Sequence, residues 1–260
     1  MRKRENQMGY QAMYSLSRRT VLGGVGSLTL GSFLSAPSAI ASTGFNFSRG
    51  QGVAYQEVGE TLLRDLYSQA GIDIDVTPLP NKRSVQSSTT GATDGETLRI
   101  FNLGERFPVL KRMPVPLINL DSVAFVRSDS DVSPTSPDEL KNFSSVAVRG
   151  VIYTELLLDG HPNANFVDDV DTTIKIVSSG RADVALTSVL DGQAAIRRLD
   201  VGNVVQLPNI FKTLPLYHYV HESKADVLDV ITPLAKELEA NGGLARMAEA
   251  AKRKYLEELG

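Results

Sequence analysis

The sequence predicts an α/β protein built from two lobes of similar construction, and three observations carry that reading. Hydrophobic positions alternate along the chain between the 3–4 spacing of helices and the two-residue spacing of strands. A Pro-rich break, Ser133-Pro134-Thr135-Ser136-Pro137, interrupts the alternation, which then restarts. A Gly-x-x-Asp turn between a helix end and a strand occurs on each side of the break, at Gly91-Ala92-Thr93-Asp94 and Gly180-Arg181-Ala182-Asp183. Each Gly suits a left-handed helix C-cap, and each Asp precedes a strand. Gly and Asp are common in unrelated turns too. Their recurrence at about ninety residues' separation is what points to a repeated design.

The elements follow in order. Val58 to Tyr67 repeats apolar residues at helical spacing and is closed by Gly71. Ile72, Ile74 and Val76 alternate with Asp73 and Asp75, a strand with one wet face. Leu98–Phe101 and Ser122–Val126 are further short strands. Beyond the break, Val146–Val148 reads as a strand, Thr154–Leu158 as a helix and Val184–Leu186 as a strand. From Val227 to Leu259 the chain is helical, interrupted at Asn241-Gly242-Gly243.

The N-terminal segment reads as an address. Arg2, Lys3, Arg4, Arg18 and Arg19 face one acid, Glu5; an apolar run from Val21 to Leu34 follows, then the small-x-small site Ser38-Ala39-Ile40-Ala41. The apolar run is too short for a membrane anchor. Ser17-Arg18-Arg19-Thr20-Val21-Leu22 resembles a twin-arginine export signal, a Sec signal with adjacent arginines being the alternative. Cleavage after Ala41 removes five basic residues and one acid, taking the formal charge from −3 to −7. An acidic chain without a basic run argues against nucleic acid and anionic membrane as partners. The expected location is the periplasm, with residues 42–260 as the mature chain.

Composition closes off other chemistry. Of 260 residues, 42% are hydrophobic and 22% charged, a globular balance. With no Cys, the chain has no disulfide, thiolate metal site or cysteine nucleophile. No cofactor and no metal are expected. His218 and His221 lie three apart in an extended segment and should face opposite ways. Asp168-Asp169-Val170-Asp171 is most simply the acidic first turn of a helix. No His-Glu-x-x-His, Gly-x-Ser-x-Gly or phosphate-loop motif is present, so no catalytic residue is assigned.

Several segments together resemble the periplasmic solute-binding proteins of the amino-acid-type ABC transporter class, solute-binding protein family 3, of the type II periplasmic binding protein fold. They are Leu79-Pro80-Asn81-Lys82-Arg83-Ser84, Gly91–Glu96, Leu98-Arg99-Ile100, Pro108–Pro116, Val123-Ala124-Phe125, Asp138–Lys141 with Gly150–Tyr153, and Gly180–Asp183. The resemblance covers nearly all of the mature chain and rests on the order of motifs that are individually weak. It implies two α/β lobes, with mixed sheets and flanking helices, hinged about two crossing strands and holding a ligand in the cleft between them. Lobe one is expected at 44–124 plus 220–260, and lobe two at 125–219.

A cleft binder needs converging polar groups. Arg83, Arg99, Arg106 and Arg149 are the candidate cations. An Arg beside apolar strand residues is more often a snorkelling residue, and the resemblance raises Arg83 and Arg99 as ligand contacts. Arg149 to Thr154 reads as strand, turn and helix start, which either offers backbone N–H groups to an anion or places Thr154 as an ordinary N-cap. Tyr55 and Tyr153 are candidate ring walls. Ser188 stands where the resemblance leads one to expect the ammonium-binding Asp of amino-acid binders, and a hydroxyl cannot neutralise a buried ammonium. Asp191, three residues on, reads as an exposed helix residue. The expected ligand is therefore a small polar or anionic solute, an organic acid or an amino-acid-like molecule.

Three functions follow from the resemblance. The first is capture of a solute for the membrane permease of an ABC importer. The second is a ligand-binding sensor that docks on a membrane signalling protein. The third is a dehydratase-like enzyme derived from the same fold.

Overall fold

The computed structural model describes residues 44–259; the export signal expected over residues 1–41 lies outside them. The chain enters through β1 (Phe45–Gly50), which leads into α1 (Ala54–Gln69), β2 (Ile74–Leu79), α2 (Asn81–Thr89) and β3 (Gly95–Ile100). The short helix α3 (Leu103–Arg106) and β4 (Leu110–Arg112) precede the long strand β5 (Ile118–Arg127). A second set follows: β6 (Ser145–Val148), α4 (Ile152–Leu157), β7 (Ala164–Val167), α5 (Val170–Ser178), β8 (Val184–Ser188) and α6 (Val189–Leu199). The 18-residue strand β9 (Val204–His221) then returns to the first set, and α7 (Val227–Ala240) and α8 (Gly243–Glu257) complete the chain.

The strands form one path in the order β2-β1-β3-β9-β5-β8-β6-β7, with β4 added on β9. β1 runs parallel to β2 and β3, and β6 parallel to β7 and β8. Between these two parallel sets lie β5 and β9, antiparallel to each other and to their neighbours. β9 pairs with β5 over Val204–Leu216 and with β3 over Leu216–Val220, so this one strand serves both halves of the sheet. Opposite Ser122–Phe125 its register with β5 shifts twice.

Each half has its own apolar core. The first joins α1 (Val58, Leu62, Leu66) to Phe47 and Leu98 on the sheet and to Ile231, Leu244 and Ala248 on the C-terminal helices. The second half fills both faces of its sheet, Phe125 and Ile174 on one and Leu140 and Leu186 on the other. α6 belongs to both. Its Ala195 packs in the second core, whereas Leu190 and Ala194 pack in the first.

Several boundaries differ from those that periodicity gives; β3 starts at Gly95 rather than Leu98, β5 at Ile118 rather than Ser122, and α4 at Ile152 rather than Thr154. α1 starts at Ala54 rather than Val58, because Ala54 and Tyr55 are buried and extend its apolar face by a turn. β2 lies two to three residues later than Ile72–Val76, since pairing with β1 runs from Phe45↔Ile74 to Gly50↔Leu79. Pro78 is tolerated within it because β2 is the edge strand and needs no donor on its outer side. The α7–α8 break falls at Asn241-Gly242, where Gly242 has φ 71°.

Candidate functional site

Parallel strands leave a crevice beyond their carboxyl ends, and here both parallel sets contribute to the same one. Gly52, Val53 and Ala54 follow β1, Asn81 follows β2, Val148 ends β6 and Arg149–Val151 follow it, and Asp168–Asp171 follow β7; together they line a cleft of about 750 Å³. Tyr255 and Leu259, from the C-terminal end of the chain, close one side. The wall is acidic. Glu57, Asp168, Asp169, Asp171 and Asp191 contribute carboxylates, against the guanidiniums of Arg149 and Arg198. Arg198 is already committed, its Nη2 lying 2.6 Å from Asp171 Oδ1.

At the seam where α1 meets α6, four side chains come together. Tyr55 is 2% exposed, Ser188 is fully buried, and Tyr153 and Asp191 are half-buried. Ser188 caps α6, its Oγ accepting from Asp191 N–H at 3.1 Å and donating to Asp191 Oδ2 at 2.5 Å. The other carboxylate oxygen, Oδ1, accepts from Ala54 N–H at 3.3 Å, a contact 137 residues away in sequence. Burial pushes the Asp191 carboxyl above the usual carboxylate range, and the bonds from Ser188 and Ala54 oppose that shift. Burial, reinforced by Asp191, likewise raises both Tyr55 and Tyr153. Tyr153 lies against the hydroxyls of Ser188 and Thr187. Both rings therefore stay neutral.

The eight expected site residues divide. Tyr55, Tyr153 and Ser188 meet in the seam, and Arg149 lines the cleft, where it is exposed and donates to Phe166 O at 2.7 Å. Thr154 is buried, its hydroxyl donating to Val151 O at 2.9 Å within the first turn of α4. Arg83 and Arg106 are exposed away from the cleft wall, the latter 5.2 Å over the Phe107 ring. Arg99 turns inward: its Nη2 pairs with the fully buried Glu96 at 2.7 Å, and Ser84 and Ser88 add hydroxyls to the same carboxylate. It reaches the cleft's edge through Asn81 Oδ1 at 3.5 Å.

Asp191 requires a correction. Read as an exposed helix residue, it is instead half-buried, with both carboxylate oxygens hydrogen-bonded. The signal was present: Ser188-x-x-Asp191 has the spacing of a capping box. One half of that box forms, while the Asp191 carboxylate, held by the Ser188 hydroxyl through one oxygen, reaches a different helix with the other. Periodicity within one helix cannot reveal that. The acids expected as a helix N-terminal cluster do sit there, Asp169 accepting from Thr172 N–H at 2.7 Å, and they line the cleft as well. Glu57 and Arg198 gave no sequence signal. His218 is fully buried between Tyr67 Oη at 3.0 Å and Glu96 O at 2.8 Å, while His221 turns to Ser223. Among the described residues no group of three or more His, Asp and Glu side chains is placed to hold a metal ion.

A histidine kinase sensor domain similar to periplasmic binding proteins superposes with a TM-score of 0.63, covering 82% of this chain and 96% of its own at 15% identity. The fold is that of the periplasmic binding proteins. An amino acid ABC transporter substrate-binding protein from Streptococcus pneumoniae, bound to L-arginine, gives a TM-score of 0.61 at 12% identity, covering 81% and 96% of the two chains. The periplasmic VFT2 domain of Bordetella pertussis BvgS gives 0.61 at 16% identity, covering 79% and 92%. No family model matches the chain, and no curated protein matches its sequence. These structural neighbours are binding and sensor proteins. Among the described residues no helix is long and apolar enough to cross a membrane.

Proposed function

We propose that this chain is a periplasmic solute-binding protein, whose two lobes close on a small polar solute and present it to an ABC importer. The observation that carries the reading is the single cleft of about 750 Å³ lined from both parallel strand sets, at the end of the sheet where this fold class binds ligands. The hinge is assigned to β5 and β9, the strands that join the halves, at the double register shift opposite Ser122–Phe125. Residues 44–124 with 220–260 then act as one lobe and 125–219 as the other.

The lining bears on the solute. Five carboxylates against two guanidiniums favour a solute carrying an amine or guanidinium over the anion that the arginines pointed to. Asp191 is assigned as its contact, with Arg149 at the mouth and Tyr55 and Tyr153 packed behind the carboxylate. The test is thermal melting of residues 42–260 against amino acids, polyamines, organic acids and sugars, because a ligand that binds the native state raises the midpoint. A saturable shift with cationic solutes is expected. A shift with dicarboxylic acids alone would reverse the ligand assignment, and no shift from any solute would count against the binding role.

A second reading, a sensor that docks on a membrane signalling protein, is favoured by the likeness to a histidine kinase sensor domain and to BvgS. Expressed in its native host, an importer component supports uptake of the solute that shifts its melting. A sensor leaves uptake unchanged and alters a transcriptional response to that solute.

A further inference from the structure

A helix begins with N–H groups that its own backbone cannot satisfy. In α6 and α5 that need is met locally, by Ser188 and Asp169. α1 differs. Its N-cap is Val53, which makes no side-chain cap, and the Ala54 N–H is taken by Asp191 of α6 across the seam. The partner is a carboxylate at the positive end of a 16-residue helix, so charge and dipole act together. Ser188 holds that carboxylate from the other side, and Tyr55 and Tyr153 neighbour it. Leu190 and Ala194, which flank Asp191 on α6, pack in the first core with Val58 and Leu62 of α1.

We propose that Asp191 is a latch, holding the two lobes closed by capping α1 from the opposite lobe. The proposal rests on reading the halves as hinged lobes. Closure is then stabilised by the protein's own groups rather than left to a solute. A lobe pair closed at rest also gives a docking partner a fixed face, which links the latch to the sensor reading.

The bond can be cut from either end. Asp191→Ala removes the acceptor. Ala54→Pro removes the donor alone: proline suits the first position of a helix, and Val53 already has the extended conformation, φ −121° and ψ 116°, that a residue before proline adopts. Since the chain has no Cys, Lys82→Cys and Asp159→Cys, exposed and on opposite lobes, accept spin labels cleanly. Electron–electron resonance distances are measured on residues 42–260 with no solute added.

The labelled parent should give mainly one short distance, and each latch variant should lower the closed-to-open ratio roughly 2- to 30-fold, the range that loss of a helix cap produces. Unchanged distances in both variants, each with cooperative melting, would overturn the latch. A change in Asp191→Ala but not in folded Ala54→Pro would also overturn it, since the acid would then act by another contact. If Asp191→Ala fails to fold, Ala54→Pro decides. The melting panel reports solute binding separately: a saturable midpoint shift with unmoved distances removes the latch and keeps the binding role, and the converse removes the binding role and keeps the latch.

Discussion

The two Gly-x-x-Asp corners are built alike and lead into opposite kinds of interior. In the first, Gly91 has φ 74°, Ala92 N–H bonds back to Ser87 O, and Asp94 exchanges two hydrogen bonds with the Asn46 backbone, its N–H donating to Asn46 O and its carboxylate accepting from Asn46 N–H. In the second, Gly180 has φ 71°, Arg181 N–H bonds to Ile176 O, and Asp183 makes the same exchange with Ser144. Two residues past the Asp, the halves part. The first places Glu96 there, fully buried with Arg99 and three serines on its carboxylate, and the second places Ala185. One corner motif thus fixes where a helix hands over to a strand without fixing what that strand buries.

The comparison can be broken at several levels, and the largest effect is expected at the buried acid. Glu96→Ala strands the Arg99 charge and the hydroxyls of Ser48, Ser84 and Ser88, and should cost about 3–5 kcal/mol in urea denaturation. Ala185→Ser, which adds one small hydroxyl to the second core, should cost about 1–3 kcal/mol. Equal losses at the two positions would remove the distinction between the interiors.

The next effect is pH-dependent and confined to the first half. Burial lowers the His218 pKa to about 4, against 6.5 unfolded, so the folded state keeps the ring neutral. Between those values the unfolded chain binds the extra proton. The contribution is therefore complete above pH 6.5 and lost as pH falls towards 4, roughly 3 kcal/mol over the window. His218→Gln should flatten the stability profile there; a profile as steep as that of the parent would mean the ring does not cause it.

The corners themselves give smaller effects. Asp94, half-buried, should cost about 1.5–3 kcal/mol when changed to Ala, and the exposed Asp183 about 1 kcal/mol, because water replaces part of its bonding. Gly91→Ala and Gly180→Ala should each cost about 1 kcal/mol from the left-handed backbone, with Gly180→Ala also pressing on Arg127 Nη1, 2.7 Å from an added Cβ. An Asp183 loss larger than that at Asp94 would invert the burial argument.

Much of the fold was legible in the residues. The amphipathic face of α1, the strands around Leu98, Val146 and Val184, the interruption between α7 and α8, and both corners follow from spacing and from Gly, Pro and Asp chemistry. These features depend on neighbours within a few residues, where helix and pleat geometry dictate which side chains share a face. The proposed site was legible only in pieces: Tyr55, Tyr153 and Ser188, which meet in the seam, as candidate residue types, and the acids 168–171 as a helix start.

Tertiary structure decided the rest. It turned Arg99 from the cleft to Glu96, set His218 in the core, and gathered Glu57, Asp171 and Asp191 onto one wall. It also shared the Asp191 carboxylate between the cap of its own helix, Ser188, and Ala54, 137 residues away. A titratable or hydrogen-bonding side chain is satisfied by whichever partner packing brings within about 3 Å. Sequence alone therefore determined the strongly patterned elements and the corners between them, and only tertiary packing determined which groups their polar side chains meet.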